Sequence, residues 1–143
     1  MIAARLKQGI DFLFGKYKKE NDVLVKNVLT LEEFKIFNEM SEYDKIHSFN
    51  LYLNVKNNNL LKDDKEYIKL ALLHDCGKEN YSLIRRMKKV IIGDKQMEKH
   101  PFAAYAKLKN IDKKIAVLAL KHHEETDDEK MKEFQRLDDG RNN

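Results

Sequence analysis

The chain has 143 residues, enough for one domain with a sizeable core and too few for two ordinary ones. With 42% hydrophobic and 36% charged residues it reads as globular rather than disordered, and its net charge of +4 accommodates anionic ligands without requiring nucleic acid. A lone cysteine excludes an internal disulfide, no apolar run approaches the roughly 18 residues of a membrane helix, and charged residues at Arg5, Lys7 and Asp11 interrupt any signal-peptide core. The expected compartment is the cytoplasm, with no membrane partner.

One proline and five glycines leave too few turn signals for a β fold, so the expectation is all-α: a single-domain helical bundle over residues 1–143. Ile2, Leu6, Ile10, Leu13 and Tyr17 recur every three or four residues and predict an amphipathic helix ending about Gly15. A short helical segment follows over Val23 to Val28. Thr30 and Glu33 then fit a capping box opening a helix through Phe34, Phe37 and Met40. These elements, within residues 1–40, are expected to pack on the rest.

Ser41 to Asp44 is a second capping signal, for a longer helix carrying Ile46, His47, Phe49 and Leu53 up to the Asn57-Asn58-Asn59 break. Asp63 or Asp64 caps the next helix, whose apolar run Ile68 to Leu73 ends in His74-Asp75 before Gly77 breaks it. Ser82 to Gly93 predicts a helix with a cationic face of Arg85, Arg86, Lys88 and Lys89. Its charge suits either a phosphate pocket or plain solvation.

His100 precedes Pro101, a good first-turn residue for a helix through Phe102, Tyr105 and Leu108. Asp112 caps a helix from Lys113 to Glu124 that aligns Ile115, Leu118, Ala119 and His122 on one face. Thr126 or Asp127 caps the last, through Met131, Phe134 and Leu137 to Asp138. Cys76 reads as a small packed residue.

The five histidines, His47, His74, His100, His122 and His123, together with Asp75 and the terminal pair Asp138 and Asp139, read as one site. Imidazole nitrogens and carboxylate oxygens suit Mn, Fe, Co, Ni, Zn or, with added water, Mg. Such an ion polarises a phosphoryl oxygen and activates water, and two ions can clamp both attacking and leaving oxygens.

These motifs resemble, in order, those of the HD-domain metal-dependent phosphohydrolases. The residues carrying the resemblance are His47, the box Leu72-Leu73-His74-Asp75-Cys76-Gly77-Lys78, then His100-Pro101, His122-His123-Glu124 and Leu137-Asp138-Asp139, over about residues 41–140. The resemblance implies hydrolysis of a phosphomonoester or phosphodiester, with a small phosphorylated substrate, a nucleotide first among the candidates. It implies that His47, His74, Asp75 and Asp138 hold a first divalent ion. Where two ions bind, Asp75 bridges and His100 with His122 or His123 completes the second position. Asp75 and Lys78 are the expected catalytic residues, with Lys78 directed at a substrate phosphate.

Three features depart from the family's subgroups. The subgroup that cleaves cyclic dinucleotides has a Gly-Tyr-Pro element where Glu125-Thr126-Asp127-Asp128 stands here, so that substrate is not assigned. Tyr43 occupies the place of an additional glutamate ligand, with Asp44 beside it, and Cys76 replaces the more usual isoleucine. A second reading, from a different class, is a non-catalytic metal-binding signalling or interaction domain. Asp139 stays open as an alternative to Asp138.

Overall fold

The computed structural model describes residues 16–78 and 100–140. The expected helix ending at Gly15 and the expected Ser82 to Gly93 helix with its cationic face lie outside the described residues. Among the described residues the chain is helical, with seven α-helices and no strand. After a single 3-10 turn, Lys19–Asn21, these are α1 (Asp22–Val28), α2 (Leu31–Asn38), α3 (Glu42–Lys56), α4 (Lys65–Leu73), α5 (His100–Leu108), α6 (Lys113–Lys121) and α7 (Glu129–Asp138).

Local hydrogen bonds open these helices where the sequence predicts. Thr30 and Glu33 form the complete capping box of α2, and Ser41 Oγ accepts the Asp44 amide at the start of α3. Of the two candidates for α4, Asp64 is the cap, accepting from the amides of Glu66 and Tyr67. The cap of α7 is Asp128 rather than Thr126 or Asp127: its Oδ1 accepts the Met131 amide at 2.8 Å, while Thr126 Oγ1 is turned to the Asp128 amide. Two helix ends are also corrected. α6 stops at Lys121, with Glu124 N–H closing a turn on Lys121 O, so His122 and His123 stand just beyond it. α4 stops at Leu73, and i to i−3 bonds carry His74 to Lys78 through tight turns. Gly77 therefore does not break the helix, and it has no left-handed φ.

α4 is the centre of the packing. Tyr67, Ile68, Leu70, Ala71, Leu72 and Leu73 are all buried, so the helix is apolar nearly all round and must be covered on several sides. α3 and α6 pack on it, α1 and α2 cover another side, and α7 lies along α3. Tyr17, Phe37 and Phe49 meet edge to face, with ring centroids 5.7 and 6.1 Å from Tyr17.

Polar ties fix the helices' relative positions. Glu33, almost wholly buried, receives Lys69 Nζ of α4 at 3.0 Å. Asp64, the cap of α4, accepts Lys130 Nζ of α7 at 2.7 Å, and Asp128, the cap of α7, accepts Tyr67 Oη of α4 at 3.5 Å. Each helix start is thus tied to the other helix. Lys107 Nζ of α5 donates to Cys76 O at 2.9 Å, securing the turn that follows His74-Asp75.

Candidate metal centre

The centre forms where α4 ends beside α3, α6 and α7. His74 and His122 stand at equivalent places, each the residue just after its helix, α4 or α6. There the side chain folds back onto its own helix. His74 Nδ1 lies 3.0 Å from Ala71 O and His122 Nδ1 lies 2.5 Å from Ala119 O. A carbonyl can only accept, so both Nδ1 atoms carry the proton and donate it. Each Nε2 is left to face the centre, the usual way an outer contact orients a histidine ligand.

His47 enters from α3 and Asp138 from the last position of α7. His47 Nε2 and His74 Nε2 converge on Asp138 Oδ1 at 2.7 and 3.1 Å. Asp75 divides its two oxygens: Oδ2 lies 3.2 Å from His74 Nε2 and 3.8 Å from His47 Nε2, while Oδ1 lies 3.8 Å from His122 Nε2. Below them the Phe134 ring meets His74 edge on, with centroids 5.7 Å apart, closing the centre on its core side. Tyr43, where the family's subgroup has a glutamate, stacks on His47 at 6.1 Å with 9° between the rings.

Three overlapping donor groups satisfy the spacing that a metal ion needs: His47, His74 and Asp138; His74, Asp75 and His122; and His122, His123 and Asp138, with ligand atoms inside each group within 4.8 Å of one another. The donors fit a divalent ion chemically as well, combining preset imidazole Nε2 atoms with carboxylates shielded from water. His123 is exposed and its ring centroid lies 4.0 Å from that of His122. Asp139 is exposed. His100 is the first residue of α5, but its side chain lies outside the described residues.

The charges follow from this crowding. Burial opposes a positive His74, but Asp75 and Asp138 outweigh it and hold its pKa well above the ordinary 6.5. Burial also opposes ionisation of Asp138, but His74 and His47 hold its carboxyl well below the usual range. His122 goes the other way: burial and the neighbouring His74 push it down to about 3. The metal-free centre therefore carries a proton on His74 and a neutral imidazole at His122, and a cation can take the place of the His74 proton.

Exposure divides the centre. His74 and His122 are fully buried, while the side chains of His47 and Lys78 keep 21% and 15% of their exposure. Lys78 Nζ, which the resemblance directs at a phosphate, lies 3.2 Å from Asp75 Oδ2 and 3.9 Å from Asp44 Oδ1. Burial opposes its charge and the two carboxylates restore it, leaving its pKa above the ordinary 10.5. Asp44 is pushed up by burial, with Lys78 opposing the shift.

Two contributors are absent from the sequence reading as functional residues. Asp44 stood in the sequence as the acidic member of the α3 cap and beside the place of an additional ligand, not as a partner of Lys78, because that approach depends on how α3 meets the turn after α4. Gly140, at φ 71°, takes the left-handed turn that stops α7, its amide bonding Leu137 O. A glycine two residues past Asp138 was the available signal, and it counters fraying at that helix end.

A family model described as HD domain matches residues 32–141 of the chain. No curated protein and no solved structure gave a match.

Proposed function

The chain belongs to the HD domain family, and on that premise we propose that it is a metal-dependent phosphohydrolase cleaving a phosphomonoester or phosphodiester, with nucleotides the first substrate class to try. The observation that supports this most is the division of Asp75, whose two oxygens face different imidazoles. In this reading His47, His74, Asp75 and Asp138 hold one divalent ion, and Asp75 with His122, His123 or His100 serves a second. When bound, such an ion supplies Lewis-acid polarisation of the phosphoryl oxygen and a more acidic water.

The protein's own groups do the rest. Ala71 O and Ala119 O keep the Nε2 atoms of His74 and His122 turned inward, so the donors need no rearrangement to engage a cation. Lys78 sets a positive charge beside Asp75, where it would neutralise phosphoryl oxygens. Phe134, wholly buried, packs edge on against His74 and keeps water from that side of the ring.

The test joins metal analysis to turnover. Protein purified without chelator, then loaded in turn with Mn, Fe, Co, Ni, Zn or Mg, is assayed by phosphate release and nucleotide chromatography beside Asp75→Asn and His100→Ala. About two ions per chain, falling toward one in His100→Ala, with turnover abolished in Asp75→Asn, is the result this reading requires. Metal bound in full with no turnover of any phosphoester favours the non-catalytic metal-binding domain instead.

A further inference from the structure

Lys78 is held by two carboxylates, and they differ in what else they touch. Asp75 faces the imidazoles of His47, His74 and His122 and belongs to a donor group for a metal ion. Asp44 belongs to none of the three donor groups. It stands in the first turn of α3, where its amide donates to Ser41 Oγ at 3.2 Å and the Ser41 hydroxyl donates back to its Oδ2 at 2.8 Å. That exchange fixes one carboxylate oxygen. The other, Oδ1, accepts no hydrogen bond among the described residues and lies 3.9 Å from Lys78 Nζ. At 3% exposure, Asp44 is removed from water and needs a counter-charge nearby.

A cation engaged by Asp75 shares that carboxylate and repels the neighbouring ammonium. Asp44, outside the donor groups, keeps its attraction for Lys78 under the same conditions. We propose that Asp44 is a positioning residue, which through the pairing of its Oδ1 with Lys78 Nζ holds the ammonium at the rim of the centre in reach of a substrate phosphate. The phosphate part rests on the phosphohydrolase reading; the pairing of Asp44 with Lys78 does not.

Two measurements separate these parts. Nitrogen-15 spectra of the lysine ammonium groups, with Lys78→Met assigning the Lys78 signal, report how tightly it is held. They are recorded on the zinc-loaded protein, or on the metal-free protein should zinc not bind. In the native chain the Lys78 ammonium is restricted relative to exposed lysines, and in Asp44→Asn it gains mobility. Equal mobility in the two proteins overturns the proposal.

The second measurement is the affinity of the zinc-loaded protein for inorganic phosphate, by calorimetry, in Asp44→Asn, Lys78→Met and the double variant. Each single substitution weakens binding about tenfold and the double variant no further than Lys78→Met alone, the signature of one residue acting through another. A double variant weakened by both factors multiplied, or a Lys78→Met protein with undiminished phosphate affinity, overturns the positioning role. Zinc bound without any phosphate binding in the native chain defeats the phosphohydrolase reading, and the ammonium spectra still decide the pairing. Should Asp44→Asn not fold, Ser41→Ala keeps both charges but frees the Asp44 carboxylate, and shifts both readouts in the same direction by less.

Discussion

Asp138 Oδ1 lies 2.7 Å from His47 Nε2, although 91 residues separate the two. Their meeting requires α7 to lie along α3, and α7 is located by caps and cross-ties at its start and by the Gly140 turn at its end. A helix terminus that could fray is thereby held against the first helix of the motif series. Its carboxylate serves two imidazoles at once, because His74 Nε2 reaches the same oxygen at 3.1 Å.

Removing that carboxylate leaves the buried His74 charge without one of its partners. Asp138→Ala is expected to destabilise the metal-free protein by about 3–5 kcal/mol, the usual result of breaking a buried pair from one side. It should also lower bound metal. Asp139→Ala, at an exposed position, should stay within about 0.5 kcal/mol and keep its metal. Urea unfolding and elemental analysis of the two variants check this, and equal effects would count against the geometry.

Metal binding should release a proton. With the His74 pKa well above 6.5 in the metal-free fold, a cation at neutral pH must displace that proton. Affinity therefore rises with pH and levels off once pH exceeds the His74 pKa. Calorimetric titrations with zinc in two buffers of different ionisation enthalpy measure the protons released; heats independent of buffer would show that His74 does not exchange its proton for metal.

Stability at low pH should depend on Asp64. Burial works against its charge, but Lys130 and the amides of Tyr67 and Glu66 outweigh that and hold its carboxyl below the ordinary 3.8. A carboxyl lowered in the fold stabilises it at every pH above the unfolded value and loses that contribution as pH falls through the folded one. Asp64→Asn keeps an oxygen that can cap α4 but loses the charge, so it should flatten this stretch of the stability curve. Denaturant midpoints from pH 2 to 7, about the range in which this linkage operates, test it. A native-like slope in the variant would remove Asp64 from the account.

Cys76 should be inert in the folded protein. It is buried, and burial pushes its thiol up to about 12 against the pull of Lys107. Labelling with a thiol reagent should proceed only as fast as the protein opens and should be complete in denaturant. Rapid labelling under native conditions would contradict the burial, and Cys76→Ala is expected to retain metal.

The helix positions and most of their caps were legible because they rest on contacts within about four residues, which the sequence carries directly. Thr30 with Glu33 and Ser41 with Asp44 illustrate this. The same locality explains the errors: Thr126 and Asp127 were read as the caps of α7, whereas backbone direction brings the next residue, Asp128, to the Met131 amide. The overshoot of α4 and α6 has a related cause: His74 and His122 keep helical dihedrals, and only beyond them does the backbone tighten, with Cys76 and Glu124 N–H closing turns on Leu73 O and Lys121 O.

The candidate donors likewise stood in the sequence in a recognisable order, and His47, His74, Asp75, His122, His123 and Asp138 lie together among the described residues. Their division of labour was not in the sequence. Asp138 approaches His47 while Asp139 stays exposed, His122 is buried while His123 is not, and Lys78, in the turn after α4, pairs with Asp44 of α3. Adjacent residues at a helix end project about 100° apart; spacing set His122 on the apolar face, but which member of each pair is buried is fixed by the neighbouring helices. Sequence alone determined which chemistry was available and, among the described residues, roughly where the helices lie. Tertiary packing decided which oxygen faces which nitrogen, because those distances are set by how α3, α4, α6 and α7 press together around one buried histidine.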